Sequence, residues 1–199
     1  MATAQDGGMA PMVTGIVLAG GLSRRMGSDK RLVVVDGEPM LRRVLSTVAS
    51  VADELLVVVA PDRPLPPGLL DGFDVRVETD RRADAGPFAG IEAGLLAATA
   101  DQVLVVAGDL PWVERGLLAT LLAGLATVDA VAADGEHGPE PLLAAYWREP
   151  ARAATTRLLD AGERRARMLL AELTVMTVED STRSTRNVNE PADLAPSAR

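Results

Sequence analysis

Short runs of aliphatic residues alternate along the chain with segments in which apolar residues recur every three or four positions. The runs predict buried strands, and the three- and four-residue spacing predicts amphipathic helices. Predicted strands span 14–18, 32–35, 54–59, 75–77, 103–106, 128–132, 142–146 and 174–178. One predicted helix has Pro39 in its first turn, a second opens at Pro87, and three more cover 114–125, 149–161 and 163–173.

This alternation predicts an α/β fold with a mostly parallel sheet and helices on both faces. At 199 residues the chain is expected to form a single Rossmann-like domain over 13–199, with a flexible leader over 1–12. In open sheets of this kind ligands bind beyond the carboxyl ends of the strands. Functional residues are therefore expected in the loops that follow the predicted strands.

Composition and charge exclude several classes of function. The formal net charge of −8 argues against binding to nucleic acid. The chain has no cysteine and a single histidine, His137, which excludes thiol chemistry, cysteine-ligated zinc and histidine-rich metal sites. No apolar run is long enough to span a membrane, and the leader lacks the features of a signal peptide, so a cytoplasmic location is predicted.

A glycine-rich segment with three cations follows the first predicted strand. Gly20 and Gly21 allow backbone N–H groups to approach an anion closely, and Arg24, Arg25 and Lys30 can neutralise phosphate charge. The spacing matches neither the dinucleotide-binding fingerprint nor the P-loop, which excludes nicotinamide or flavin oxidoreductases and P-loop enzymes. A solvated basic turn is the alternative, but the position directly after a buried strand favours phosphate binding.

Two aspartates follow later predicted strands. Asp109 comes after 103–106, where a carboxylate can hold Mg²⁺. A helix cap or turn is the commoner role of an aspartate, but the position directly after a buried strand favours a metal ligand. Asp80 follows 75–77 beside Arg81 and Arg82, and taken alone it is typical of a surface turn.

Two asparagines, Asn187 and Asn189, alternate in a segment near the end of the chain. An extended backbone would turn both side chains to one side, where each amide offers a donor and an acceptor. Turn chemistry before Pro191 is an equally good explanation.

Several segments resemble the MobA family of molybdenum cofactor guanylyltransferases. The resemblance spans residues 14–194, and its glycine-and-lysine portion is common to a wider nucleotidyltransferase superfamily. The matching segments are Leu18-Ala19-Gly20-Gly21-x-Ser23-Arg24-Arg25-Met26-Gly27-x-Asp29-Lys30, Gly86-Pro87-Phe88-Ala89-Gly90-Ile91, Gly108-Asp109-Leu110-Pro111, Ala161-Gly162-Glu163-Arg164-Arg165 and Asn187-Val188-Asn189-Glu190-Pro191.

The resemblance implies a nucleotidyltransferase domain that transfers GMP from GTP to molybdopterin, with Mg²⁺ as cofactor and pyrophosphate as the second product. It further implies delivery to a molybdoenzyme or chaperone. The resemblance implies that Leu18, Ala19, Gly20 and Gly21 bind the base and phosphates, and that Arg25 and Lys30 stabilise charge. It implies that Asp80 binds the nucleotide and that Asp109 binds both the nucleotide and Mg²⁺. The implied acceptor-binding residues are Asn187, Asn189 and Arg164.

The chain departs from the family pattern after the strand at 54–59. The family usually carries an asparagine there, interpreted as a nucleobase contact, whereas this chain has Ala60-Pro61-Asp62. Proline offers neither a side-chain amide nor an N–H. The alternatives are therefore a related transferase that uses CTP or another phosphate acceptor, and a non-catalytic nucleotide-binding module for cofactor delivery. The presence of both Lys30 and Asp109 argues against the module.

Overall fold

A sheet of seven strands organises the part of the chain that the structure describes. From one edge to the other its strands are Arg76–Thr79, Glu54–Val59, Val13–Leu18, Gln102–Ala107, Gly138–Trp147, Ala130–Gly135 and Val175–Glu179. The computed structural model describes residues 12–20, 29–82, 85–188 and 193. The strands are β1 (Val13–Leu18), β2 (Val34–Val35), β3 (Glu38–Pro39), β4 (Glu54–Val59), β5 (Arg76–Thr79), β6 (Gln102–Ala107), β7 (Ala130–Gly135), β8 (Gly138–Trp147) and β9 (Val175–Glu179). The helices are α1 (Met40–Ala49), α2 (Gly86–Ala97), α3 (Arg115–Ala123), α4 (Arg148–Asp160) and α5 (Arg167–Ala171).

Most neighbouring strands of this sheet are parallel, as the sequence predicts. β5, β4, β1 and β6 run in one direction, and β9 is parallel to β7. β8 is antiparallel to both of its neighbours. The carboxyl ends of β1, β4, β5 and β6 therefore meet at one edge, and the start of β8 lies beside them.

Helices cover both faces of the sheet, which confirms the predicted fold class. Apolar side chains of α1 and α3 pack on one face, and those of α2, α4 and α5 pack on the other. Alternate residues of the central strands supply the two cores, because successive side chains of a strand point to opposite faces. In β1, Val17 belongs to the first core and Ile16 to the second, and both are fully buried.

The strand predicted at 32–35 is wrong in extent. Lys30–Leu32 form a 3-10 turn, and only Val34–Val35 pair, with β3 rather than with the main sheet. Asp36 and Gly37 both have positive φ, 49° and 88°, as a two-residue hairpin turn of type I′ requires. Pro39, predicted in the first turn of a helix, belongs to this hairpin.

The helix predicted over 163–173 is also wrong in extent, because only Arg167–Ala171 are α-helical. Gly162 adopts a left-handed conformation with φ of 86° and ends the preceding helix. The Glu163 carboxylate then accepts hydrogen bonds from the backbone N–H groups of Arg164 and Arg165, both at 2.9 Å. Such local bonds compete with helix formation and hold this segment as a turn.

The approach of α2 to β1 requires a residue without a side chain at Gly94. A Cβ at this position would lie 2.6 Å from Cγ2 of Ile16. Gly94→Ala is therefore expected to lower the free energy of unfolding by about 1–3 kcal/mol through overpacking. Urea denaturation measures this change.

Gly116 provides the matched control because it is helical and nothing lies within 4 Å of the Cβ position. Gly116→Ala is expected to raise the free energy of unfolding by about 0.5–1 kcal/mol, since alanine is the better helix former. Equal effects of the two substitutions would contradict the close packing of α2 on β1.

None of the helices described is long and apolar enough to cross a membrane. Apart from Met12, the predicted leader lies outside the described residues, and the prediction about it stays a prediction.

Candidate active site

A cavity of about 640 Å³ opens at the carboxyl edge of the sheet. This volume lies within the usual range for small-molecule sites. The walls come from the ends of four parallel strands, the start of α2 and the start of β8. The lining residues are Leu18, Ala19, Gly20, Lys30, Arg31, Val58, Val59, Ala60, Pro61, Asp62, Arg63, Asp80, Arg82, Gly86, Pro87, Gly90, Ala107, Gly108, Asp109 and Leu142.

The end of β1 is joined to both neighbouring strands at the cavity floor. The N–H of Ala19 donates to the carbonyl of Val58 at 2.8 Å, and the N–H of Gly108 donates to the carbonyl of Leu18 at 2.9 Å. A Cβ at Gly108 would lie 2.9 Å from that Leu18 oxygen. Glycine at 108 therefore allows the turn after β6 to pass closely over β1.

Lys30 and Asp109 form an ion pair at the cavity wall, although they are separated by 79 positions in the sequence. Nζ of Lys30 lies 2.6 Å from Oδ2 of Asp109. Their side chains are 12% and 20% exposed, which places the pair at the boundary between cavity and core. The two residues that the sequence assigns to phosphate and metal are thus in direct contact.

Lys30 is the only lysine in the chain, beside 19 arginines. The ammonium group is a compact point charge, whereas a guanidinium is planar and branched. A lysine at this one position suits a narrow site in which a single ammonium group binds either a carboxylate or a phosphate.

Arg31 connects the Lys30 turn to the loop after β4, a role that no local sequence pattern signals. Its guanidinium binds the Asp29 carboxylate and donates to the carbonyls of Arg63 and Pro64, both at 3.1 Å. The hydrogen bond with Arg31 lowers the pKa of Asp29. Arg31 thus holds two walls of the cavity together.

Asp80 and Asp62 face the cavity from adjacent loops. Asp80 follows β5, and its N–H donates to the carbonyl of Val59 at 3.1 Å. Burial raises the pKa of the Asp80 carboxyl, and the negative charge of Asp62 raises it further. This wall offers hydrogen-bond acceptors to a ligand that carries donor groups.

Asp80→Asn is expected to weaken nucleotide binding about 10-fold, because a hydrogen bond to a charged acceptor is lost. The same change should raise the melting temperature of the ligand-free protein near neutral pH. The pKa of Asp80 is higher in the folded state than in the unfolded state, so the ionised carboxylate lowers the stability of the fold above the folded-state pKa. This loss of stability disappears below the unfolded-state pKa.

Titration calorimetry with GTP and melting curves at about pH 7 and about pH 3, below the ordinary pKa of an aspartate, measure the two effects. Asp74→Asn is the control, since Asp74 is exposed and does not line the cavity. Weaker GTP binding in the control, or a stability gain for Asp80→Asn that persists at the lower pH, would contradict the assignment.

Arg82 is a second cavity residue whose partners the sequence did not indicate. It binds the buried Glu92 of α2 through two nitrogens and Asp160 at the end of α4 at 2.8 Å. These contacts fix the loop after β5 against two helices. They join residues from separate elements, and no local motif signals them.

A model of the MobA-like NTP transferase domain matches residues 15–177. The match covers most of the chain and all of the strands that form the cavity floor. The chain belongs to the MobA-like NTP transferase domain family. The nucleotidyltransferase class predicted from the sequence is thereby confirmed.

Relatives of known name and structure cover nearly the whole chain. A probable molybdenum cofactor guanylyltransferase of Deinococcus radiodurans is 37% identical over 94% of this chain and 94% of the relative. A second, from Natronomonas pharaonis, is 35% identical over 91% of this chain and 94% of the relative. The crystal structure of molybdopterin-guanine dinucleotide biosynthesis protein A from Archaeoglobus fulgidus superposes with a TM-score of 0.74 at 27% identity, covering 91% of this chain and 94% of that one.

Part of the predicted MobA-like phosphate loop falls outside the described residues. Leu18, Ala19 and Gly20 line the cavity, and their role in nucleotide binding stays a prediction, whereas Gly21 and Arg25 lie outside the described ranges. The role predicted for Arg25 stays a prediction.

The predicted acceptor residues differ in their relation to the MobA-like site. The N–H of Val188 donates to the carbonyl of Asp109 at 2.9 Å, which brings the exposed Asn187 beside the site. Asn189 lies outside the described residues. Arg164 does not line the cavity, and its guanidinium donates to the carbonyls of Leu159 and Glu163 at the end of α4. Its role in acceptor binding stays a prediction.

The donor set around Asp109 fits a magnesium ion bound together with phosphates. No group of three or more metal-ligating side chains occurs within the described ranges. Mg²⁺ commonly takes only one or two protein carboxylates and completes its shell with phosphate oxygens and water. Asp109, a carboxylate on the wall of an open cavity, meets that requirement.

Proposed function

We propose that the chain transfers the GMP moiety of GTP to the terminal phosphate of molybdopterin, with or without bound molybdenum. An oxygen of the acceptor phosphate attacks the α-phosphorus of GTP. The bond from that phosphorus to the bridging oxygen breaks, and pyrophosphate leaves with the electron pair. The products are the guanine dinucleotide form of the cofactor and pyrophosphate.

The Lys30–Asp109 ion pair inside the cavity is the observation that carries this proposal. It puts one cation and one hard anionic ligand at the edge of the sheet where nucleotides bind in such folds. When a triphosphate enters, the Lys30 ammonium can leave the Asp109 carboxylate and bind phosphate oxygens instead. Asp109 then becomes available to a metal ion.

The residues at the cavity act by positioning and by charge stabilisation. The backbone at 18–20 approaches base and phosphates, Asp80 accepts hydrogen bonds from the nucleoside, and Lys30 stabilises negative charge that develops on the α-phosphate and pyrophosphate. A phosphate acceptor has a second pKa of about 6 and is ionised near neutral pH. The reaction therefore needs no general base.

Asp109 would hold Mg²⁺, which when bound supplies Lewis-acid stabilisation to the phosphate oxygens. The adjoining Asn187 is placed to contact the acceptor, since the backbone of Val188 is tied to Asp109.

The names and coverage of the relatives support guanylyl transfer to molybdopterin. Pro61 and Asp62 at the cavity wall favour testing a second nucleotide, because the usual family asparagine is absent there. Cytidylyl transfer to the same acceptor is the second candidate.

The decisive experiment incubates purified protein and molybdopterin with GTP and CTP separately. Mass spectrometry of the dinucleotide and an assay of released pyrophosphate give the result. Guanine dinucleotide with GTP is expected, and product with CTP alone would exclude the guanylyl reaction. The cytoplasmic location and delivery to a molybdoenzyme or chaperone stay predictions.

A further inference from the structure

Glu140 is a half-buried carboxylate that lies beside the Asp109 turn. β8 runs antiparallel to β6, and Leu143 pairs with Val106 near the carboxyl end of β6. The residues of β8 before Leu143 continue beyond the end of β6 toward the turn that carries Asp109, with a register shift against β7 between Ala132 and Ala133. Glu140 lies in this extension, and burial together with the negative charge of Asp109 raises the pKa of its carboxyl.

A hydrogen bond within β8 fixes the Glu140 side chain beside a residue of the cavity wall. Its Oε1 accepts a hydrogen bond from the N–H of Leu142 at 3.1 Å, and Leu142 itself lines the cavity. Among the residues described, Glu140 forms no ion pair; Lys30 pairs with Asp109 instead. The carboxylate is thus held in place through one oxygen, and the other forms no hydrogen bond to the residues described.

The charges of the described residues around this point do not balance once a nucleotide is bound. Among those residues, Asp109 and Glu140 contribute two negative charges, and Lys30 contributes one positive charge. A triphosphate that attracts Lys30 leaves two carboxylates near further negative charge. Such an arrangement is unfavourable in a partly buried site unless a cation lies among the groups.

We propose that Glu140 is a positioning residue for the divalent cation at Asp109, and that its carboxylate binds a water molecule of the cation's hydration shell. Mg²⁺ keeps several of its waters in nucleotide sites, and carboxylates that hold those waters strengthen metal binding. This inference rests on the proposed function, because it assumes a metal–nucleotide complex at Asp109.

Glu140→Gln tests the charge alone, because the amide oxygen can still accept from Leu142. Manganese affinity is measured by electron paramagnetic resonance in the presence of a non-hydrolysable GTP analogue. We expect about 10-fold weaker Mn²⁺ binding than in the wild type. The Mg²⁺ concentration for half-maximal pyrophosphate release should rise similarly, with the rate at saturating Mg²⁺ largely restored.

Glu136→Gln is the matched control, since it removes an equal charge from the exposed tip of the same hairpin. Equal Mn²⁺ affinity in the two variants would overturn the inference. Wild-type protein that binds the analogue but no Mn²⁺ would overturn the proposed metal site together with it. If the wild type binds Mn²⁺ normally and Glu140→Gln binds it more weakly, but the wild type forms no guanine dinucleotide, only the proposed reaction is refuted.

Discussion

Lys30→Ala is expected to lower the rate of pyrophosphate release by about 100- to 1,000-fold, the usual effect of losing one donor to developing negative charge. The substitution removes the ammonium group that lies 2.6 Å from Asp109 on the cavity wall. Single-turnover measurements with GTP and molybdopterin report the chemical step. Lys30→Arg should not restore the wild-type rate, because a guanidinium cannot occupy the place of a compact ammonium group.

Arg115→Ala is the control for the loss of one positive charge. Arg115 is exposed at the start of α3 and does not line the cavity. Pyrophosphate release by Lys30→Ala at the wild-type rate would contradict the catalytic assignment. A wild-type protein that binds GTP but releases no pyrophosphate would instead support the non-catalytic delivery module.

Asp109→Asn is expected to reduce the Mg²⁺-dependent rate by about 1,000-fold, since losing the metal ligand forfeits several kcal/mol of charge stabilisation. Mn²⁺ binding in the presence of a GTP analogue should fall in parallel. Combining this change with Lys30→Ala should cost less than the sum of the two effects, because the residues are in contact and act on the same phosphates.

Asp101→Asn removes the same charge at the opposite end of the same strand. This control should bind Mn²⁺ and turn over as the wild type does. If Asp109→Asn retained wild-type affinity for Mn²⁺, Asp109 would not be the metal ligand.

The central strands could be predicted because burial on both faces leaves a continuous aliphatic run. Val57 and Val105 lie in such runs, and both are fully buried. The region at 32–35 has a similar composition, but Val34 is exposed and pairs only within a hairpin. Composition alone does not reveal which sheet a short apolar segment joins, because that depends on the turn at Asp36 and on contacts distant in sequence.

The parts of the site that lie in local sequence motifs could be predicted, whereas the parts that depend on contacts between distant residues could not. The loops around Lys30 and Asp109 have recognisable patterns, and the fold brings them together. The partners of Arg82 are set by the packing of α2 and α4, and Glu140 depends on how far β8 extends past β6. These relations follow from sheet register and helix packing, which local spacing does not encode.

Because the chain has a single lysine, chemical labelling of its amines reports on the candidate site. Apart from the terminal amine, Lys30 is the one primary amine of the chain, and it is 12% exposed in its contact with Asp109. An acylating reagent directed at amines can therefore mark Lys30 in its contact with Asp109 without an engineered probe. The rate of that acylation depends on how often the Lys30–Asp109 ion pair opens. A nucleotide that covers Lys30 should slow the acylation, so the degree of slowing measures the fraction of sites that hold nucleotide.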